Sequence, residues 1–182
     1  MSSNVYGASN LQFLESKPPE DIEEVYSKAR SLIDIELGVT ESHRSEENRS
    51  ILQQLRSDIE ATNYNDFIDL DYPRFSITPH EYDWLKAYGE DRWLDYLIYR
   101  YKFKMYPSQK KLSDFPVHLL IEPTPVCNLR CIMCFQVDKS FASNKQYVGM
   151  ISWDLFTNVV DQAADHDCHA ITMASRGEPT LH

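Results

Sequence analysis

The sequence has no apolar run that approaches the ~18 residues a membrane-spanning helix needs. Residues 1–10 also lack the basic segment and the apolar core of a secretory signal peptide. We therefore expect a cytoplasmic protein that has no membrane as a partner. Disulfides are rare in the cytosol, so clustered thiols there are more often metal ligands than halves of a disulfide.

The sequence also lacks an excess of positive charge. Lys and Arg number 18 against 28 Asp and Glu in the 182 residues, which gives a formal net charge of -10. Phosphate binding requires clustered Lys and Arg, so this balance argues against a nucleic acid as partner. Hydrophobic residues make up 42% of the chain and charged residues 25%, an ordinary balance for a folded domain, so wholesale disorder is not expected.

Residues 1–114 read as a helical N-terminal region of unknown role. Apolar residues recur at helical spacing over residues 22–33 and 46–61. The clearest helix start is Thr78-Pro79-His80-Glu81, where a Thr cap, a Pro at the first helical position and a Glu at the third form a capping box. These patterns predict a region built from several amphipathic helices.

A last helix is predicted over residues 91–105, which are dense in aromatic side chains. An aromatic stripe can bind a flat ligand, but core packing or a contact with a neighbouring domain is the commoner use, and we interpret the stripe in that way. The polar segment 106–114 reads as a linker. We therefore place a domain boundary after Asp114.

The pattern changes to strand, helix and strand over residues 115–182. Val117 to Glu122 reads as a buried strand, Ser152 can cap a helix, and His169 to Ala174 reads as a second strand. The sequence predicts a βαβ unit with two parallel strands and a right-handed crossover. The loops that leave the carboxyl ends of such strands share one face, and neighbouring strands lie about 4.8 Å apart. We expect the loops after residues 122 and 174 to lie side by side.

Three cysteines occupy the first of these loops: Cys127, Cys131 and Cys134. Iron–sulfur clusters are usually held by Cys thiolates, and a loop with three of them can hold three irons of a four-iron cluster while the fourth stays open to an outside ligand. Structural zinc instead requires four closed ligands, typically in paired Cys-x2-Cys knuckles. The spacing favours the cluster, and zinc stays open as the competing interpretation.

A fourth cysteine, Cys168, falls at the end of the crossover helix, opposite the three-cysteine loop. Cys168 or a nearby His could complete a zinc site. We interpret Cys168 as a small buried hydrophobe, which is the usual state of an unpaired cysteine. A disulfide is the least favoured alternative in a cytosolic protein.

The order of the motifs resembles the start of the catalytic domain of the radical S-adenosylmethionine (radical SAM) enzyme superfamily. The pattern Cys127-x3-Cys131-x2-Cys134 follows a first strand, and Gly177-Glu178-Pro179 follows the second. Both motifs in this order, on either side of a βαβ crossover, are more specific than either alone. The resemblance covers residues 115–182 and leaves the helical region without a relative.

The resemblance implies a 4Fe-4S cluster and S-adenosylmethionine as cofactors. Cys127, Cys131 and Cys134 would ligate the cluster, and Gly177 and Glu178 would contact the amino group at the methionine end of the cofactor. Met133 stands where the family usually has an aromatic residue, and its thioether could fill the space near the adenine. An electron from the reduced cluster would cleave the cofactor to a 5′-deoxyadenosyl radical, which abstracts hydrogen from the substrate.

The family turn usually reads Gly-Gly-Glu, and Arg176 replaces its first glycine. If that position requires a positive φ, Arg adopts it at a cost in strain that Gly would not have. The Arg176 guanidinium could instead reach the cofactor carboxylate or the substrate. We keep both possibilities as expectations.

The resemblance also implies the fold, an α/β architecture that begins a partial (β/α) barrel with one βαβ unit, preceded by the all-helical region. Barrels of this kind need on the order of 200 residues, so we expect the chain to be a truncated N-terminal fragment that is inactive alone. The expected partners are a small-molecule or peptide substrate of unknown identity and an electron donor of the flavodoxin or ferredoxin type.

Two alternatives to a radical SAM enzyme remain. The first is a short iron–sulfur or zinc module without catalysis, which has a structural or electron-transfer role. The second is a helical interaction domain attached to a decayed, inactive barrel. The substrate is not encoded in any motif that we recognise.

Overall fold

The computed structural model describes residues 18–62, 74–138, 144, 149–173 and 175–182. The chain divides into two compact units between Lys111 and Leu112. The boundary predicted from the sequence lies a few residues further along, after Asp114. Residues 1–10, on which the signal-peptide interpretation rests, lie outside the described part of the chain.

The described residues of the first unit form four α-helices. They are α1 (Ile22–Gly38), α2 (Glu46–Ala61), α3 (Pro79–Ala87) and α4 (Trp93–Gln109), and a 3-10 turn over Glu90–Arg92 precedes α4. The Ser45 side chain caps α2 by accepting a hydrogen bond from the Asn48 N–H at 3.2 Å. None of the described helices is both long enough and apolar enough to cross a bilayer.

The core of the first unit consists of the apolar faces of these helices and of the extended segment 74–78. Two buried polar side chains hold that segment by its backbone. The Asp58 carboxylate accepts a hydrogen bond from the Phe75 N–H at 3.0 Å, and the Tyr26 hydroxyl accepts one from the Ile77 N–H at 2.8 Å. Buried backbone donors need such partners, because leaving them unpaired is costly.

The predicted capping box at α3 is confirmed, and it has a further function in the core. Glu81 accepts a hydrogen bond from the Thr78 N–H at 2.9 Å, and its side chain is fully buried. The Arg100 Nε lies 2.7 Å from one carboxylate oxygen of Glu81, and the Lys104 Nζ lies 3.4 Å from the other. Burial by itself raises the pKa of Glu81, but Lys104, Thr78 and Arg100 together outweigh burial and lower it.

The aromatic stripe of α4 is largely core. Trp93, Tyr96 and Tyr101 are buried, and the Tyr96 ring stacks on the Trp84 ring with centroids 3.7 Å apart. Phe103, by contrast, is exposed. Core packing is therefore confirmed for most of the stripe, whereas Phe103 lies outside the core.

The linker prediction is wrong at its start, because α4 continues through Pro107 to Gln109. A proline in the last turn of a helix removes one hydrogen bond near an end that already has unpaired groups, so its cost is smaller there than in the interior. Tyr106 offsets this loss, since its ring is buried and its hydroxyl donates to the Glu47 carboxylate at 2.7 Å. The helix ends where Lys110 adopts a φ of 55°.

The second unit contains the predicted βαβ arrangement. Strand β1 (His118–Ile121), helix α5 (Trp153–Asp165) and strand β2 (Ala170–Met173) follow one another, and the strands pair in parallel. The Ser152 side chain caps α5 by accepting a hydrogen bond from the Leu155 N–H at 3.2 Å. The prediction of a mixed α/β chain with a helical region before it is confirmed. Ala174, the predicted end of β2, lies outside the described residues.

Most apolar side chains of the second unit remain accessible. Among its described residues, the buried ones are Ile121, Pro123, Thr124 and Ala163. Leu120 of β1 is 62% exposed and Met173 of β2 is 50% exposed. Strands of a parallel sheet are normally covered on both faces, so this strand pair is far less enclosed than a complete sheet of its kind.

We expect Glu81→Ala to lower the free energy of unfolding by about 3–5 kcal/mol at neutral pH, because it leaves Arg100 and Lys104 without their buried partner. Urea denaturation followed by far-UV circular dichroism measures the change. Glu60→Ala is the control, since Glu60 forms an exposed ion pair with Arg56 at 2.8 Å, and removing it should change the stability by less than about 1 kcal/mol.

The effect of Glu81 should also depend on pH. The lowered pKa of Glu81 means that its contribution is complete above the carboxyl's unfolded-state pKa and is lost as the pH falls through the lower folded-state pKa. The difference in stability between the wild type and Glu81→Ala should therefore shrink in acid. Equal stability of the two at neutral pH would contradict this account of the core.

Candidate functional site

The segment between β1 and the first cysteine is held firmly. Pro123 and Thr124 are buried, and the Pro123 carbonyl accepts a hydrogen bond from the Ile151 N–H at 2.9 Å. The Thr124 hydroxyl accepts one from the Val126 N–H at 3.1 Å. The chain therefore enters the cysteine loop from a fixed direction at the carboxyl end of β1.

The three cysteines lie on the short loop that follows. Cys127 and Cys134 are half-buried and Cys131 is exposed, and all three are outside any disulfide. The Cys134 N–H donates to the Cys131 carbonyl at 2.9 Å, which closes a tight turn between the second and third cysteine. Within the described residues, no three His, Cys, Asp or Glu side chains stand close enough together to hold a metal ion.

The donor set of the loop nevertheless fits a thiolate-bound cluster. Three soft sulfur donors occur within eight residues, and iron–sulfur clusters take this ligand type. The side chains of residues 128–133 are exposed, so the loop can rearrange around a cluster without opening the core.

The turn after β2 contains a glycine that no other residue can replace without a shift of the backbone. Gly177 has a φ of 83°, in the left-handed region that favours glycine. A Cβ atom added at Gly177 would lie 1.8 Å from the Thr124 carbonyl oxygen and 2.8 Å from the Thr124 carbonyl carbon. Such distances are severe overlaps, so the two backbones can approach this closely only at a glycine.

Hydrogen bonds connect this turn to the cysteine loop. The Glu178 N–H donates to the carbonyl of Val126, the residue before Cys127, at 2.8 Å. The Gly177 N–H donates to the Gln136 side-chain oxygen at 2.9 Å, and the Gln136 amide nitrogen donates to the Pro125 carbonyl at 2.7 Å. The prediction that the two loops lie side by side is confirmed.

The Glu178 carboxylate takes part in the local turn. It accepts hydrogen bonds from the Thr180 hydroxyl at 2.8 Å and from the Thr180 N–H at 3.1 Å. These two bonds, the hydroxyl first, lower the pKa of Glu178 below its ordinary value. The lowered pKa favours the ionised carboxylate, as would the contact with a cationic group that the family resemblance implies.

The expectation of strain at Arg176 is wrong. The positive φ values of this turn belong to Ser175, at 100°, and to Gly177. The non-glycine residue with a positive φ is therefore Ser175, one position before Arg176, which replaces the first glycine of the family turn. The Arg176 Nε lies 3.3 Å from a carboxylate oxygen of Glu122, the residue after β1, so the guanidinium connects the ends of the two strands.

Met133 and Cys168 occupy very different surroundings. The Met133 side chain is 86% exposed on the cysteine loop, where it is accessible to a ligand. Cys168 lies before β2, at the edge of the sheet opposite the cysteine loop, because the two strands are parallel. Cys168 is half-buried and its thiol lies 3.5 Å from the Ala170 carbonyl, so the prediction of full burial is wrong.

Sequence reasoning missed Gln136 and Thr124. Gln136 follows Cys134 by two residues, yet nothing in the local sequence indicates that its amide reaches a turn at residue 177. Thr124 precedes the first cysteine and reads as an ordinary strand end. Their contacts are visible only once β1 and β2 are paired.

Comparison of the chain with protein-family models, with curated proteins and with solved structures found no match. The case for a function therefore rests on the residues of the site and their geometry.

We expect Gly177→Ala to break the contact between the two loops, since the added Cβ would overlap the Thr124 carbonyl. A strained left-handed alanine alone costs about 1–3 kcal/mol, and a factor of ten in an equilibrium constant is about 1.4 kcal/mol. The Glu178 N–H should therefore exchange with solvent at least about tenfold faster, which amide hydrogen exchange by NMR measures.

Gly149→Ala is the matched control, because a Cβ added at Gly149 meets no atom within 4 Å. It should leave the exchange rate of the Glu178 N–H unchanged. Equal rates in the wild type and in Gly177→Ala would show that the turn does not depend on this close approach.

Proposed function

We propose that this chain carries the cofactor site of a radical SAM enzyme. In this proposal Cys127, Cys131 and Cys134 hold a 4Fe-4S cluster, and the turn at Gly177 and Glu178 receives the methionine end of S-adenosylmethionine. The observation that carries the proposal is the hydrogen bond from the Glu178 N–H to the Val126 carbonyl. It brings a turn rich in oxygen acceptors to the backbone that leads directly into the first thiol.

The chain's own residues have three tasks in this mechanism. The three thiolates would hold the cluster, and no fourth thiol occurs on the loop. Glu178 and the backbone acceptors of its turn would receive the cationic amino group of the cofactor. Met133 has an exposed apolar side chain that would be available to the adenine.

Reductive cleavage of S-adenosylmethionine to a 5′-deoxyadenosyl radical, which abstracts hydrogen from a substrate, is the chemistry that such a cluster supplies when bound. The protein's contribution is placement and electrostatics. The proposed electron donor is a flavodoxin- or ferredoxin-type protein of the cytoplasm, and the substrate is a small molecule or a peptide.

We also propose that the βαβ unit begins a partial (β/α) barrel. Two features support this extension. The strands are parallel, as in every barrel of this class, and the apolar side chains of Leu120 and Met173 are exposed where further strands and helices would cover them. In such barrels the site lies at the carboxyl ends of the strands, which is where the cysteine loop and the Gly177 turn meet.

The proposal is tested by anaerobic reconstitution of the full chain with iron and sulfide. We expect about four irons per chain, since a four-iron cluster is the form that leaves one site open. The EPR spectrum of the reduced protein should change when S-adenosylmethionine is added. Ser substitutions of Cys127, Cys131 and Cys134, made one at a time, should abolish the four-iron spectrum.

Cys168→Ser is the matched control, because Cys168 lies at the opposite edge of the strand pair. It should take up iron as the wild type does. Tight stoichiometric zinc with no iron uptake would contradict the proposal and favour a zinc module. Iron uptake with no response to S-adenosylmethionine would instead favour an electron-transfer or structural module.

A further inference from the structure

Gln136 joins three backbone segments of the site through one side chain. Its amide nitrogen donates to the Pro125 carbonyl at 2.7 Å, and its amide oxygen accepts from the Gly177 N–H at 2.9 Å. Its own backbone belongs to the 3-10 turn Phe135–Val137, which begins directly after Cys134. The half-buried Gln136 side chain therefore links the third cysteine, the segment before the first cysteine and the turn after β2.

The two side-chain hydrogen bonds of Gln136, to Pro125 and from Gly177, form what we call the Gln136 bridge, and they require a neutral amide. A Gln side chain has an acceptor on one atom and donors on the other, so it can accept from one backbone group and donate to another. A Glu carboxylate could still accept from Gly177 but would repel the Pro125 carbonyl. A Met side chain of similar length could make neither bond.

The bridge also decides which polar groups the turn presents. In a trans peptide the N–H and the C=O point in opposite directions. The Gly177 N–H points to Gln136 and the Glu178 N–H points to Val126. The carbonyls of the same two peptide units, which belong to Arg176 and Gly177, therefore point away from the cysteine-loop atoms that hold the turn. These oxygens are acceptors of the kind that an ammonium group needs.

We propose that Gln136 is a positioning residue, which fixes the Gly177 turn relative to the cysteine loop and so sets the orientation of the acceptors for the amino group of S-adenosylmethionine. The inference rests on the proposed function. It adds that the thiol site and the turn are coupled, because Gln136 follows Cys134 on one 3-10 turn and holds Gly177 by its N–H. Coupling of two binding sites is reciprocal, so each ligand should change the affinity of the other by the same factor.

The test compares Gln136→Met and Gln136→Glu with the wild type, each as the full chain reconstituted anaerobically. Gln162→Met is the matched control, since Gln162 lies exposed on α5 and its side chain donates to Asn158 one helical turn away. Three quantities are measured: the iron content, the EPR spectrum of the reduced cluster with and without S-adenosylmethionine, and the Kd of S-adenosylmethionine by equilibrium dialysis.

We expect Gln136→Met to bind iron as the wild type does and to give the same EPR spectrum without S-adenosylmethionine. Its Kd for S-adenosylmethionine should rise by about 10–100-fold, the usual cost of losing an outer partner of a cofactor site, and the EPR change on adding the cofactor should be lost. The Kd of Gln136→Glu for S-adenosylmethionine should fall between those of Gln136→Met and the wild type, because Gln136→Glu keeps the hydrogen bond to Gly177. Gln162→Met should match the wild type throughout.

The unreconstituted chain gives a second readout that needs no cofactor. In Gln136→Met the Gly177 N–H should exchange with solvent several-fold faster than in the wild type, and in Gln162→Met at the wild-type rate. Equal exchange rates of the Gly177 N–H in Gln136→Met and in the wild type would contradict the hydrogen bond from Gly177 to Gln136.

The Kd and the iron content can also contradict the proposal. An unchanged Kd in Gln136→Met would overturn the positioning role, and so would loss of iron in parallel with loss of the cofactor, which marks a merely structural residue. A wild-type chain that binds the cluster but not S-adenosylmethionine would overturn the proposed function, and the Gln136 proposal with it. If the wild type binds both the cluster and S-adenosylmethionine, and the Gln136 variants bind them equally well, the Gln136 proposal fails and the proposed function stands.

Discussion

The close approach of the Gly177 backbone to the Thr124 carbonyl is the constraint on which the candidate site depends. The parallel pairing of β1 with β2 brings the ends of both strands to one edge, but pairing alone leaves the two loops free to diverge. Because residue 177 has no side chain, the turn can lie directly on the segment that enters the cysteine loop. The hydrogen bonds of Gly177 and Glu178 then become possible.

The two units are stabilised by different means. The first unit buries the apolar faces of four helices, and its buried carboxylate Glu81 is paired with Arg100 and Lys104. In the second unit little apolar surface is buried, so the geometry of the site rests mainly on backbone hydrogen bonds and on the Gln136 bridge. Hydrogen bonds contribute about 0.5–1.5 kcal/mol each, so the loss of one is a sizeable fraction of what holds the two loops together.

Local signals in the sequence predicted local features well. The capping box at Thr78 and Glu81, the helix over residues 46–61 and the βαβ order all depend on residues close together in the chain, and the structure confirms them. The sequence-based predictions fail where contacts between residues distant in the chain determine the local structure. Helix α4 continues through Pro107 because Tyr106 packs against the core and Glu47, and neither contact is visible in the local pattern. The strain at Ser175 and the reach of Gln136 likewise follow from how the strands pair.

The site combines a fixed part with an exposed part, a division that would suit the uptake of the proposed cluster. The entry to Cys127 is held by the buried residues Pro123 and Thr124, and the Gly177 turn is held by hydrogen bonds to Gln136 and Val126, whereas Cys131 and the residues on either side of it are exposed. A thiol loop that is already enclosed would have to open before a cluster could enter, and each buried polar group would lose its partner while it did so. An exposed loop avoids that cost. Under the proposed function Gln136, which bonds to Pro125 and lies two residues after Cys134, would transmit a movement of the loop to the turn at Gly177.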